Sequence, residues 1–337
     1  MQNFKAYEQG LRGAAVVVLE SKNAQVQIAP KNGFKLFSAI FQNRQMMMPT
    51  MTPFEESAAN GVPILFPFPN RTRDCRYTYG GHECEIIAKN GEKRFLHGLM
   101  VDEEFSYNYG VTADGAWCTG VCSITPETSY FASYPFPCTL RLTYTLTEDN
   151  LRLEYKVTND GNETLPYGFA IHPYFNKFDD PEAITITVPV DEYYEASNDR
   201  MPTGKLLPTE GDMDLRPVKE NKGLLSAIVS RDDKLVYSKH TVASYFLDHV
   251  YHGLDSTKRA LIHYENLGLT LALHASDEFK NMVVFTPPML PGFCLENQTN
   301  ATDYINLNNQ GFESACIQEL PAGQTRGGYI EVSVISD

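Results

Sequence analysis

Positive charge is scarce in this 337-residue chain: 28 Lys and Arg stand against 42 Asp and Glu, a formal net charge of −14. Long-range repulsion opposes a general nucleic-acid or anionic-membrane surface, but it does nothing against a neutral small molecule. Long apolar runs are lacking as well. The opening MQNFKAYEQGLRGAAVVVLE has a short apolar core broken by charge on both sides, too short for a membrane span and without a clear cleavage pattern. The seven cysteines (75, 84, 118, 122, 138, 294 and 316) are odd in number, scattered and free of any C-x-x-C pair. Neither a zinc site nor a disulfide framework is suggested, and a reducing cytoplasm is expected. Tryptophan is reduced to Trp117, and no Pro/Gly/Ser linker, internal repeat or low-complexity segment divides the chain. Helical signals are limited to about two turns each at 53–60 (PFEESAAN) and 221–230 (NKGLLSAIVS).

What is present is β pattern. Runs rich in Val, Ile, Thr, Tyr and Phe recur between turn residues: AVVVLE, QVQIAP, TLRLTYTLTEDN, LRLEYKVTNDGNE, AITITVPV, KLVYSKH, RALIHYEN, LTLALHAS, NMVVFTPP and GYIEVSVIS. Leu140, Leu142, Tyr144 and Leu146 alternate with Arg141, Thr143 and Thr145, the period of a strand with one buried face. TEDN, and again Asp160-Gly161-Asn162, are expected to be hairpin turns. The expectation is an all-β fold, a large antiparallel β-sandwich with few short helices, forming a single domain over residues 1–337.

Four polar constellations interrupt the pattern. In PILFPFPNRTRD (63–74) prolines remove ladder donors, so the backbone is irregular where Asn70, Arg71 and Arg73 fall. Those guanidinium groups either bind clustered oxygens or pair with surface carboxylates. In RFLHGLM, His97 precedes a glycine that permits a sharp backbone change, and it is either structural or chemical. In FAIHPYF, Gly168, Ala170 and His172 share one side of a strand, which predicts an open shelf beside His172 before Pro173 ends the pairing. In PGFCLENQTNATDYINL, Glu296 follows an apolar run. Burial there raises a carboxyl pKa toward what a base needs near neutrality, unless the group simply pairs with an arginine. A smaller cluster, Asp248, His249 and His252 in FLDHVYHGL, has His-x-x-His spacing but lacks a third ligand motif. Solvated loop histidines are expected there, not a metal.

In order and spacing, Asn70-Arg71, His97-Gly98, His172-Pro173-Tyr174-Phe175, Asp248 and Glu296 with the downstream ATDYINL resemble the aldose 1-epimerase (galactose mutarotase) family. The closing LPAGQTRGGYIEVSV is similar to that family's last strands. The resemblance implies a supersandwich of antiparallel sheets with a sugar in an open concave site. It implies Glu296 as the base at the anomeric hydroxyl and His172 as the acid at the ring oxygen. His97 and Arg71 would hold the ring-oxygen side, and Asp248 would grip ring hydroxyls. The carboxylate is then expected ionised and the imidazole protonated, each charge supporting the other against desolvation. Asn70 and Arg73 are expected at the substrate, and, with tryptophan absent from the site motifs, Phe285 is the candidate aromatic wall. Where many relatives have a Glu-Pro-Trp-Thr segment, this chain has Glu296-Asn297-Gln298-Thr299. The expected function is interconversion of α and β anomers of a free aldohexose, with no cofactor and no metal. A monomer or homodimer whose partner is a small-molecule sugar, not nucleic acid or membrane, is expected. A hexose-6-phosphate 1-epimerase is the alternative, using Arg71, Arg73, Arg76, Lys93 or Arg94 for the phosphate. A non-catalytic carbohydrate-binding protein of the same fold is a second, though it has no need for an acid–base pair.

Overall fold

A computed structural model describes residues 4–11, 14–48, 61–93, 95–218 and 235–336. Both expected helical segments, 53–60 and 221–230, and Arg94 lie outside the described residues. Strands dominate, in antiparallel ladders, and among the described residues the α-helix Tyr304–Asn309 is the only one. No helix of the described residues is long and apolar enough to cross a membrane. All seven cysteines are free.

Three sheets carry the architecture. The first is a five-stranded meander from Lys5–Leu11 to Arg44–Gln45. The second has eight strands in the order Ile184–Thr187, Ala260–Tyr264, Leu269–Ala275, Thr325–Ser336, Asn150–Asn159, Cys138–Leu146, Ala116–Ile124 and Ser106–Val111. The third, also of eight strands, runs Pro202–Pro208, Glu192–Ala196, Asp248–His252, Asn281–Phe285, Gly292–Gln298, Ala170–Ile171 and Ile64–Leu65, with Tyr174–Asn176 paired onto Gly292–Gln298 as well. Leu36 and Phe41 of the first sheet, Leu153 and Leu273 of the second, and Ile171 and Phe175 of the third line one apolar cavity where the sheets meet. Burial of these inner faces is what drives the sheets together.

Most strand expectations hold, and two need correction. Residues 235–240 of KLVYSKH form no strand. Instead the Ser238 N–H donates to Thr187 Oγ1 at 2.9 Å and Ser238 Oγ–H to the Ile186 carbonyl at 2.6 Å. Side-chain hydroxyls interrupt the ladder at Ser238, and backbone pairing resumes where the Ile186 N–H donates to the His240 carbonyl at 3.0 Å. TEDN does close a hairpin, but the turn at Asp160-Gly161-Asn162 leads away: Leu165–Tyr167 pairs with Gln318–Leu320 and not back onto Asn150–Asn159.

Register in the third sheet decides which side chains meet, because residues directly opposite in an antiparallel pair share a face. Asp248 is opposite Phe285, Phe285 opposite Cys294, and Cys294 opposite Tyr174, giving one row across four strands. Val250, Val283 and Glu296 form the next row on the same face. The opposite face, with Val284, Leu295 and Phe293, belongs to the core.

Candidate active site

The proline-broken stretch becomes part of the site through hydrogen bonds to a second irregular segment. The Thr72 N–H donates to the Phe95 carbonyl (3.1 Å), that of His97 to Asn70 (2.7 Å) and that of Leu99 to Phe66 (2.8 Å). Asn70, Arg71 and His97 are thereby locked together. Gly98 is required at its position: φ is +73° and a Cβ would stand 2.5 Å from the Phe66 carbonyl oxygen. Asn70 and His97 also hold left-handed backbone, at φ 59° and 69°, strain that such sites commonly store.

His97 meets His172 edge to face, ring centroids 5.0 Å apart at 80°. On its other side His172 stacks flat on Tyr174, at 4.6 Å and 9°. The two rings clamp the imidazole and aim Nε2 at Glu296, 3.4 Å from Oε1. His172 is 6% exposed and Glu296 2% exposed. Tyr174 was inside the quoted motif without a role. Its signal was alternation with His172 across Pro173.

Burial dominates the electrostatics, and it pushes both groups against the expected charge state. Desolvation, with the Arg71 charge acting the same way, pulls the His172 pKa down to about 3. Desolvation and then the Asp248 charge push the Glu296 carboxyl well above its ordinary range, with Arg71 pulling only partly back. Burial thus favours a neutral imidazole beside a protonated carboxyl. Desolvation opposes the expected imidazolium beside carboxylate, because both ions would leave water while standing slightly beyond good hydrogen-bond distance. The proton count is the same in either form; only its seat differs.

Around the pair, Arg71 donates from Nη1 to Asn70 Oδ1 at 3.0 Å. Asp248 accepts an ion pair from Arg200, Nε to Oδ2 3.6 Å, and the Arg200 guanidinium also lies over the Phe246 ring at 5.5 Å. Phe246, half exposed, meets Phe285 at 6.0 Å. Arg200, in the turn between Glu192–Ala196 and Pro202–Pro208, carries no sequence signal, whereas Phe246 opens FLDHVYHGL two residues before Asp248. Arg73 is turned to carboxylates, with Nη1 3.6 Å from Asp199 and Nε 3.8 Å from Asp303. His249 and His252 sit on a strand, not a loop, and three residues apart they face opposite sides. His252 Nδ1 is taken by Asn281 Oδ1 at 2.9 Å. Trp117 lies in the second sheet, on Ala116–Ile124.

The shelf expected beside His172 is absent. A Cβ on Gly168 would stand 2.4 Å from Asn300 and 2.5 Å from Pro69, so the missing side chain admits neighbours rather than ligand. Those neighbours fasten the strand: Thr299 Oγ1 accepts from the Phe169 N–H at 2.9 Å, and the Thr299 N–H donates back to the Phe169 carbonyl at 3.0 Å. Gln298 Nε2 donates to the Asn300 carbonyl at 2.6 Å. The run Asn297-Gln298-Thr299-Asn300, at most 3% exposed, is thus a polar clamp that joins the Glu296 strand to the His172 strand.

Comparison with known proteins bears on this arrangement. Residues 16–333 match the family described as aldose 1-epimerase. A galactose mutarotase-like protein from Clostridium acetobutylicum superposes with a TM-score of 0.81 at 15% identity, over 100% of both chains. A galactose 1-epimerase from Lactobacillus acidophilus superposes at 0.71 and 15% identity, over 99% of this chain and 98% of that one. Among curated sequences, the plasmid-encoded protein LacX of Lactococcus lactis is 30% identical over 116 residues, about a third of each chain (34% and 36%).

Proposed function

This chain belongs to the aldose 1-epimerase family, and on that premise we propose that it interconverts the α and β anomers of a free aldohexose through Glu296 and His172. The observation that carries the reading is the buried pair itself, a carboxyl and an imidazole 3.4 Å apart. To open the ring, the carboxylate takes the anomeric hydroxyl proton while the imidazolium protonates the ring oxygen, and the C1–O5 bond breaks. The proton has then returned to Glu296 and His172 is neutral. That is also the protonation that burial favours in the pair, so the buried site favours the neutral side of the open-chain step. Rotation about C1–C2 and the reverse transfers close the other anomer. Sugar hydroxyls favour the carboxylate that starts the cycle, and the Arg71 charge favours it too while opposing the His172 imidazolium. His97 steadies the imidazole edge, Asp248 accepts from ring hydroxyls, and Phe285 with Phe246 offers an apolar wall.

A free sugar is favoured over a 6-phosphate by the state of the cations. Arg73 faces Asp199 and Asp303, while Arg76 and Lys93 both face Glu85, at 3.0 and 2.6 Å. Recruiting any of them to a phosphate would strip a carboxylate of its partner. Polarimetry on fresh α-D-glucose and α-D-galactose, with their 6-phosphates alongside, tests the reading. Accelerated anomer exchange is expected for the free sugars. Exchange of the phosphates alone would transfer the assignment, and sugar binding without exchange in NMR would make the protein a carbohydrate-binding one.

A further inference from the structure

Cys294 has no task in the reaction proposed above. Yet its Sγ, a ring nitrogen of His172 and a carboxylate oxygen of Glu296 all lie within 4.8 Å of one another, with all three side chains buried. We propose that these residues form a binding site for a thiophilic divalent cation of the zinc class, and that the ion blocks the site against sugar.

The donor set selects the ion. A thiolate, an imidazole and a carboxylate supply three ligands of a tetrahedral site and leave a fourth position for water. Mg²⁺ and Ca²⁺, which want six or more oxygens, find too few here. Bonds of about 2.0–2.3 Å set ligand atoms roughly 3.3–3.8 Å apart in such a site, so side-chain torsions need to close the present spacing by ~1 Å. The frame suits that small movement. Cys294 and Glu296 are two residues apart on one face of Gly292–Gln298, which is paired on one side by Asn281–Phe285 and on the other by Tyr174–Asn176. His172 is held against them by the Tyr174 stack. Charge also balances: the ion enters as the thiol and carboxyl each release a proton, and two anions with a neutral imidazole cancel its double charge. A buried pocket accepts a neutral assembly where it resists a bare ion. Because the ion occupies the gap between Glu296 and His172, it excludes the sugar's anomeric end.

Only the inhibition depends on the epimerase reading; binding does not. Co²⁺ titrated into the wild-type protein is expected to give one equivalent of intense near-ultraviolet thiolate-to-cobalt absorption, displaced by Zn²⁺ and lost in His172→Asn. Zn²⁺ should inhibit anomer exchange competitively with sugar, and Mg²⁺ at equal concentration should not. Cys294→Ser should keep anomer exchange, lose the absorption and tolerate ~100-fold more Zn²⁺. Absence of the band in the wild type, or its persistence in His172→Asn, overturns the site even if Cys294→Ser fails to fold. Equal zinc sensitivity in a folded Cys294→Ser overturns it too. A band with no anomer exchange in any sugar sinks the epimerase reading and leaves the metal site standing.

Discussion

The second and third sheets each have eight strands, yet their interiors obey different rules. In the second, Cys138–Leu146 and Asn150–Asn159 alternate buried with half-exposed positions. Their outward hydroxyls pair across strands: Thr119 with Thr143, Ser123 with Thr139, and Thr158 with Thr325, each at 2.9 Å. In the third, Gly292–Gln298 is buried at every position. Its polar groups cannot turn to water, so they must bond one another or shift their protonation. Cys138–Leu146 and its neighbours keep most outward polar groups wet and inert. Gly292–Gln298 dries them and makes them chemical.

The sharpest way to break this contrast is to remove the dried groups. Glu296→Gln and His172→Asn should each lower kcat by ~10²–10⁴ while far-ultraviolet circular dichroism stays β. The double variant should lose little more than either single one, because the two move one proton. Thr143→Val in the second sheet removes a polar group of similar standing and should leave kcat untouched. Near-normal turnover in His172→Asn would make FAIHPYF a packing segment and end the catalytic assignment.

Glycines give a paired test. A Cβ on Gly168 meets Asn300 and Pro69 at 2.4–2.5 Å, and one on Gly120 of the second sheet meets the Phe34 ring at 2.4 Å. Both alanine variants overpack and should cost about 1–3 kcal/mol in denaturant melts. Gly168→Ala alone should also slow anomer exchange, since it loosens the clamp holding the His172 strand. Equal activity in the two variants would mean that the clamp is structural only.

The same contrast explains what was legible in the sequence. LRLTYTL announces its strand by period because its outer face is wet, and Gly292–Gln298 offers no such alternation. His172, Glu296 and His97 were visible as polar residues in apolar runs, and the structure brings them together. Their charge state was not visible, because it depends on how completely three segments distant in sequence exclude water. Gly168 looked like open space, yet the neighbour that fills it, Asn300, comes from the bend after Gly292–Gln298, 132 positions away in the chain. Arg200 reaches Asp248 through a loop whose path no local pattern encodes. KLVYSKH has strand composition, but the Ser238 and Thr187 hydroxyls take the place of the ladder bonds at Ser238.

The pH profile sharpens the comparison further. With the proton resting on Glu296, kcat/KM should fall at low pH as the pair gains a second proton, the limb set by His172. It should fall at high pH as the pair loses its last one, the limb set by the raised Glu296 carboxyl. Asp248 raises Glu296 but does not act on His172. Asp248→Asn should therefore move the alkaline limb down and leave the acid limb in place. Arg71 lowers both groups, so Arg71→Met should move both limbs up. The rates need a chelator in the buffer so that proton and metal effects stay separate. An acid limb that moves down in Asp248→Asn while the alkaline limb stays in place would put Glu296 on the acid limb and restore the imidazolium–carboxylate resting state.

The smallest effect is on stability, and its sign follows from the same carboxyl. Glu296 has a folded pKa raised above its unfolded value, mainly by burial. The stabilising contribution of its bound proton is fully present below the ordinary carboxyl range, and it is lost as pH climbs through the raised folded value. Glutamine keeps the neutral shape at every pH. Glu296→Gln should therefore match the wild type in melting temperature near pH 4 and exceed it increasingly toward pH 8. A gap of roughly 2 °C is what ~1 kcal/mol gives in a large domain. His172 acts in the other window: its pKa, lowered to about 3, costs stability as pH falls below the ordinary histidine value, and it does so in both proteins. Its contribution cancels in the difference, so calorimetry of the two proteins across this range isolates Glu296. A gap largest at pH 4 and closing upward would mean that the carboxyl is ionised in the folded site and held there by Arg71.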